Sequence, residues 1–74
     1  MTKEQAQWLI DEFKPIRRGT VNGKTIGVFI KAINIILNQS RRIPSCGCEF
    51  GVTATIANSA FDQHEQEILK LYNS

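Results

Sequence analysis

Residues Thr25 to Gln39, TIGVFIKAINIILNQ, constrain what this chain can fold into more than any other stretch. Ile26, Phe29, Ile30, Ile33, Ile36 and Leu37 recur at i, i+3, i+4 and i+7, the spacing that gathers side chains on one face of a helix. Val28, Ala32 and Ile35 add a second apolar line, so that only Gly27, Lys31, Asn34 and Asn38 remain as a polar seam. A helix apolar almost all round must be covered on several sides, and two flanking helices are the expected cover. Any part of the second line they leave bare is expected to meet a partner, because large apolar patches seldom stay exposed. A membrane span is excluded by length. The apolar run of about 12 residues reaches only about 18 Å, whereas a bilayer core needs about 20 apolar residues, and Lys31 and Asn34 interrupt its middle.

The stretches on either side supply those covers. Thr2 to Phe13 reads as a first helix that Pro15 ends, with Thr2 and Gln5 spaced as a capping box. Ala6, Leu9, Ile10 and Phe13 share one face of it, and Trp8 lies about 160° away at 100° per residue. That position makes Trp8 either a shield folded over the edge of a small core or an anchor for a partner, tryptophan being enriched at binding hot spots. Ser45 to Tyr72 reads as a long third helix with Ser45 as N-cap and a stripe of Cys46, Phe50, Ala54, Ala57, Phe61, His64, Ile68 and Leu71. Gly47 and Gly51 weaken its first turns, and a start near Thr53 with Cys46 to Gly51 as an ordered loop is the alternative. The expected fold is all-α: a single three-helix domain over residues 1–74, with a strongly apolar central helix and a long C-terminal one. A domain of 74 residues buries only about 60% of the surface its unfolded chain exposes, so its stability margin is thin.

The net charge of +2 hides a lopsided arrangement. Residues 14–42 hold Lys14, Arg17, Arg18, Lys24, Lys31, Arg41 and Arg42 without a single acid, while the stretches before and after are acidic. Two readings follow. The acidic outer helices pair with the basic middle inside the fold, or Arg17, Arg18, Lys24, Arg41 and Arg42, in loops 15–24 and 39–44, form a basic surface for phosphates or an acidic protein. In the first loop Arg17 and Arg18 are expected to reach outward, and Asn22 or Thr25 to cap the central helix. A short hairpin about Asn22-Gly23 is the alternative there. The spacing Gly19-Thr20-Val21-Asn22-Gly23-Lys24-Thr25 is one residue short of a phosphate-binding Walker loop. In the second loop, Arg41 and Arg42 follow the carbonyl end of the central helix, where cations complement its dipole.

Chemistry-bearing residues are few. Cys46 and Cys48 are separated by one glycine, a spacing too close for an unstrained bridge and too sparse for a secreted disulfide framework, so reduced thiols in a reducing compartment are expected. Zinc needs four ligands, and a long helix holds Cys46 and His64 about 27 Å apart. A thiolate at a helix start would be reactive, but the chain's one histidine lies too far along the same helix to serve as its base. No catalytic residue, cofactor or metal is assigned. Met1 to Lys14 carries no signal-peptide pattern, and the expected location is cytoplasmic, or the virion if the chain is phage-encoded.

The expected function is a small non-enzymatic protein-interaction module, an accessory or structural subunit of a larger assembly such as a bacteriophage particle or a polymerase complex. Trp8, Val28, Ala32 and Ile35 are its candidate interface, toward a protein partner or a second copy, with no membrane contact. The alternative is nucleic-acid binding through the basic loops. Against it, the central helix lacks the polar face of a base-reading helix.

Overall fold

The computed structural model describes residues 1–74 and consists of three helices and no strand. Helix α1, Lys3–Trp8, runs directly into a π-helical turn, Leu9–Phe13. Helix α2 is Ile26–Leu37. A 3-10 turn, Gly47–Glu49, leads into helix α3, Phe50–Tyr72. No helix is long and apolar enough to cross a membrane.

The first helix starts on a polar device written in the sequence. Thr2 and Gln5 form the full capping box: the Gln5 N–H donates to the Thr2 hydroxyl at 3.1 Å and the Thr2 N–H donates to the Gln5 amide oxygen at 2.9 Å. Thr25 takes the N-cap position of α2 without a side-chain cap bond, and Asn22 instead organises the turn that leads into it. The side-chain oxygen of Asn22 accepts from the N–H groups of Lys24 and Thr25, the Asn22 N–H donates to the Thr25 hydroxyl at 3.0 Å, and no hairpin forms. The third start differs from expectation. Cys46, extended at ψ 126°, replaces Ser45 as the cap, and the chain tightens into the 3-10 turn before α3. Gly47 makes a regular α-turn costly at this point, and the tighter turn is a common helix entry.

The end of α1 carries a feature that periodicity did not announce. The Lys14 N–H reaches back five residues to the Leu9 carbonyl at 2.8 Å, which widens the last turn. Pro15, next in the chain, has no N–H to give the Asp11 carbonyl, and its ring excludes that oxygen from its α-helical place. The helix stops there, and Phe13 is left facing inward.

The core is built around α2. Ala6, Leu9 and Phe13 cover it from one side, and Ala57, Ala60, Phe61 and Ile68 of α3 cover it from another. Phe13, Phe29 and Phe61, one from each helical segment, meet at fully buried positions. The Phe13 and Phe29 rings stand edge to face with centroids 5.3 Å apart, and Phe13 and Phe61 are 5.7 Å apart and tilted. On α3 the expected stripe is buried from Ala57 to Ile68 except at His64, which is half-exposed, and Cys46 lies off it, exposed.

Because these three rings join all three helical segments, Phe13→Ala should lower the unfolding free energy by about 3–5 kcal/mol, much of the about 5–15 kcal/mol available to a native domain. Urea unfolding followed by circular dichroism measures it. A loss below about 1 kcal/mol would show that the junction relaxes around the cavity and is not the centre of the fold.

Candidate protein-docking face

The two basic loops meet different fates. In the first, Arg17 does not reach outward: it is 7% exposed, and its guanidinium lies over the Phe61 ring at 4.3 Å. Its Nε donates to the Asn58 side-chain oxygen at 2.7 Å, and its terminal nitrogen donates to the Asn58 carbonyl and to Asp62. Asn58 returns a bond from its amide nitrogen to the Arg17 carbonyl at 2.7 Å. A buried charge is tolerated only when its donors are satisfied, and no buried side-chain nitrogen or oxygen in the chain lacks a partner. Arg18 stays exposed, 3.7 Å from the second Asp62 oxygen. The hydrogen bond from Arg17, reinforced by the charges of Arg17 and Arg18, holds the Asp62 carboxyl below its ordinary range despite opposing desolvation. Lys24 remains exposed in the turn that leads into α2.

The second loop is strapped along α2. Asn38 takes the left-handed conformation, φ 52° and ψ 50°, that asparagine tolerates, and the chain reverses there. Asn34 then clamps the returning backbone. Its amide donates to the Arg41 carbonyl at 3.1 Å and its oxygen accepts from the Arg41 N–H at 2.9 Å, as a neighbouring strand would. Ile43 comes to lie over Gly27, where an added Cβ would stand 3.6 Å from its Cδ1.

Between this strap and the first turns of α3 runs a groove of about 350 Å³. Ile30 and Ile56 supply apolar lining, and Pro44 and Val52 line it with Arg41, Arg42 and Glu49. Ile43 is 60% exposed and Val52 63% exposed, and Met1 is the other exposed large apolar residue. Arg41, Arg42 and Glu49 take part in none of the chain's ion pairs.

The expected interface is not where the bare apolar surface lies. Ala32 is fully buried, and Val28 and Ile35 are half-buried against the core, so the second line of α2 is mostly covered by the chain itself. Trp8 is half-buried with the Lys31 ammonium 4.4 Å from its ring centroid, and it lines a depression of about 400 Å³ with Gln5 and Ile35. Ile43 and Val52 are exposed at positions that the sequence pattern does not single out. Their signals are weak ones: a single aliphatic residue in an otherwise polar connection, and a valine off the α3 stripe. Cys46 and Cys48, expected as reduced thiols, are joined by a disulfide. His64, expected in the core, lies 3.5 Å from Glu67 at a half-exposed position.

No protein-family model, curated protein or solved structure matches this chain.

The neighbouring arginines should separate cleanly. Arg17→Ala removes charge-assisted hydrogen bonds and stem packing, an expected loss of about 2 kcal/mol, whereas Arg18→Ala should stay within about 0.5 kcal/mol. Equal effects in urea unfolding would contradict the buried role of Arg17.

Since the folded state lowers the Asp62 pKa, its contribution is present above the unfolded value near 4 and disappears as the pH falls through the lowered folded value. Asp62→Asn should therefore destabilise at pH 7, and the gap from the parent should narrow below about pH 4. A gap that is constant down to pH 2 would mean that the carboxylate charge plays no part.

Proposed function

We propose that this chain is a small non-enzymatic protein-interaction module, an accessory or structural subunit of a larger assembly, that docks through Ile43, Val52 and the adjoining groove. The observation that carries this reading is the pair of exposed aliphatic side chains in a small domain that covers nearly all its other large apolar groups. Arg41, Arg42 and Glu49 beside them have no ion-pair partner within the chain. An apolar centre with arginines around it is the composition of a protein interface. The partner is a protein surface that presents an apolar side chain next to carboxylates, so that Val52 is covered while the arginines set orientation and encounter rate.

The competing phosphate-binding reading is weakened by the first loop. Arg17 is buried on Phe61 and held by Asp62, which removes it from a free basic surface, while Arg18 stays exposed beside the same carboxylate. A hydrolytic or transfer reaction finds little support either, since the chain's one histidine pairs with Glu67 and no nucleophile is hydrogen-bonded to it.

A photo-crosslinking residue placed at position 52 or at the exposed Gln7 of α1 tests the face in extracts of the source cells. One discrete protein should be captured from position 52 and not from position 7, and Arg41→Glu with Arg42→Glu should abolish that capture while the urea midpoint stays within error. Capture from position 7 alone would overturn the assignment. So would tight duplex binding whose log K falls against log salt with a slope near about −4, because Arg18, Lys24, Arg41 and Arg42 would then be reading phosphates.

A further inference from the structure

The bridge between Cys46 and Cys48 holds together nothing that the fold needs. A cross-link restricts the unfolded chain according to the size of the loop it closes, and with a sequence separation of 2 this one encloses only Gly47. Both cysteines are exposed, and neither belongs to the core cluster. Helix α3 is anchored downstream, through Ala57, Phe61 and Ile68. Opening the bridge therefore leaves every core contact in place.

Its surroundings suit exchange chemistry. Cys48 lines the groove with Arg41, Arg42 and Glu49; the Glu49 carboxylate is ion-paired to neither arginine, and the two guanidinium charges outnumber it. An anionic reagent is drawn to that sulfur rather than to its neighbour. Cys46 lies outside the groove lining, and its Sγ accepts from the Cys48 N–H at 3.4 Å, a bond that strengthens when the sulfur carries a charge. The geometry thus separates an attacked sulfur from a leaving one.

We propose that Cys46 and Cys48 form a reversible dithiol–disulfide exchange centre whose co-reactant is a low-molecular-weight thiol bearing carboxylates, of the glutathione type. The thiolate of one such molecule attacks the Cys48 Sγ, a mixed disulfide forms, and the Cys46 sulfur leaves as a thiolate that takes a proton from water. A second molecule attacks the reagent's sulfur in the mixed disulfide and releases the Cys48 thiolate with the oxidised reagent. Two electrons pass from two thiols to the protein, and the reverse sequence restores the bridge. With one residue between the cysteines, the Cys46 thiolate stays next to the mixed disulfide and recloses it when reagent is scarce. This centre acts without any docked partner, so it stands or falls separately from the protein-interaction reading.

The test uses the full chain in buffers of set reduced-to-oxidised glutathione ratio, quenched with acid, alkylated and read by mass spectrometry. Bridged and dithiol forms should reach the same ratio from either side, with circular dichroism unchanged, and Cys46→Ser should accumulate a glutathione adduct at Cys48. At equal thiolate concentration and low salt, glutathione should open the bridge roughly tenfold faster than the cationic thiol cysteamine, by charge steering. Arg41→Ala with Arg42→Ala should erase most of that preference. A chain whose thiols never bridge in these buffers would overturn the proposal, as would equal rates with both reagents. Helix loss on opening would also overturn it, by making the bridge structural.

Discussion

The junction of Phe13, Phe29 and Phe61 is the contact on which the rest of this molecule depends. Each ring comes from a different helical segment, so the three together set how α1, α2 and α3 are placed. Arg17 roofs the junction by lying on Phe61, and its hydrogen bonds to Asn58 and Asp62 tie the loop after α1 to the middle of α3. Guanidinium is suited to this place because it is planar and weakly hydrated, and its fork of donors can satisfy two acceptors while one face rests on an aromatic ring. A lysine could not do the same work.

The polar seam of α2 is consumed one residue at a time by whatever lies over it. Ile43 lies over Gly27, Lys31 covers Trp8, Asn34 clamps Arg41, and Asn38 turns the chain back. A helix this apolar needs cover on more than two sides, and the third cover is not a helix but the strap that follows Asn38. The strap is short and only partly apolar, so it leaves Ile43 and Val52 bare at its edge. The candidate docking face is thus a consequence of how α2 is enclosed.

Charge follows the same logic. The basic middle of the chain is divided by the fold into a part engaged by Asp62, with Arg17 buried and Arg18 exposed, and an external part without an ion-pair partner, at Arg41 and Arg42. Only the external part lies beside exposed apolar side chains and the cysteine bridge, which concentrates the unexplained chemistry of the molecule in one groove.

The sequence by itself determined the helices and most of their ends. Spacing of apolar residues places α2 and most of α3, Thr2 with Gln5 writes its own cap, Asn22 with Thr25 writes the turn before α2, and Pro15 forces a stop, because each of these rests on contacts within a few residues. What lay beyond reach depends on partners distant in the chain. Arg17 reads equally as a surface cation or as the partner of an outer-helix acid until Asn58 and Asp62, on the turns of α3 that face it, are brought alongside. Val28, Ala32 and Ile35 read as a bare line until the folded chain buries Ala32 and packs the other two against the core, while Ile43 and Val52 acquire meaning only from the cover that fails to reach them. Local periodicity states that a face must be buried, but only the packing of remote segments decides which face is left over, because every segment competes for the same limited apolar surface.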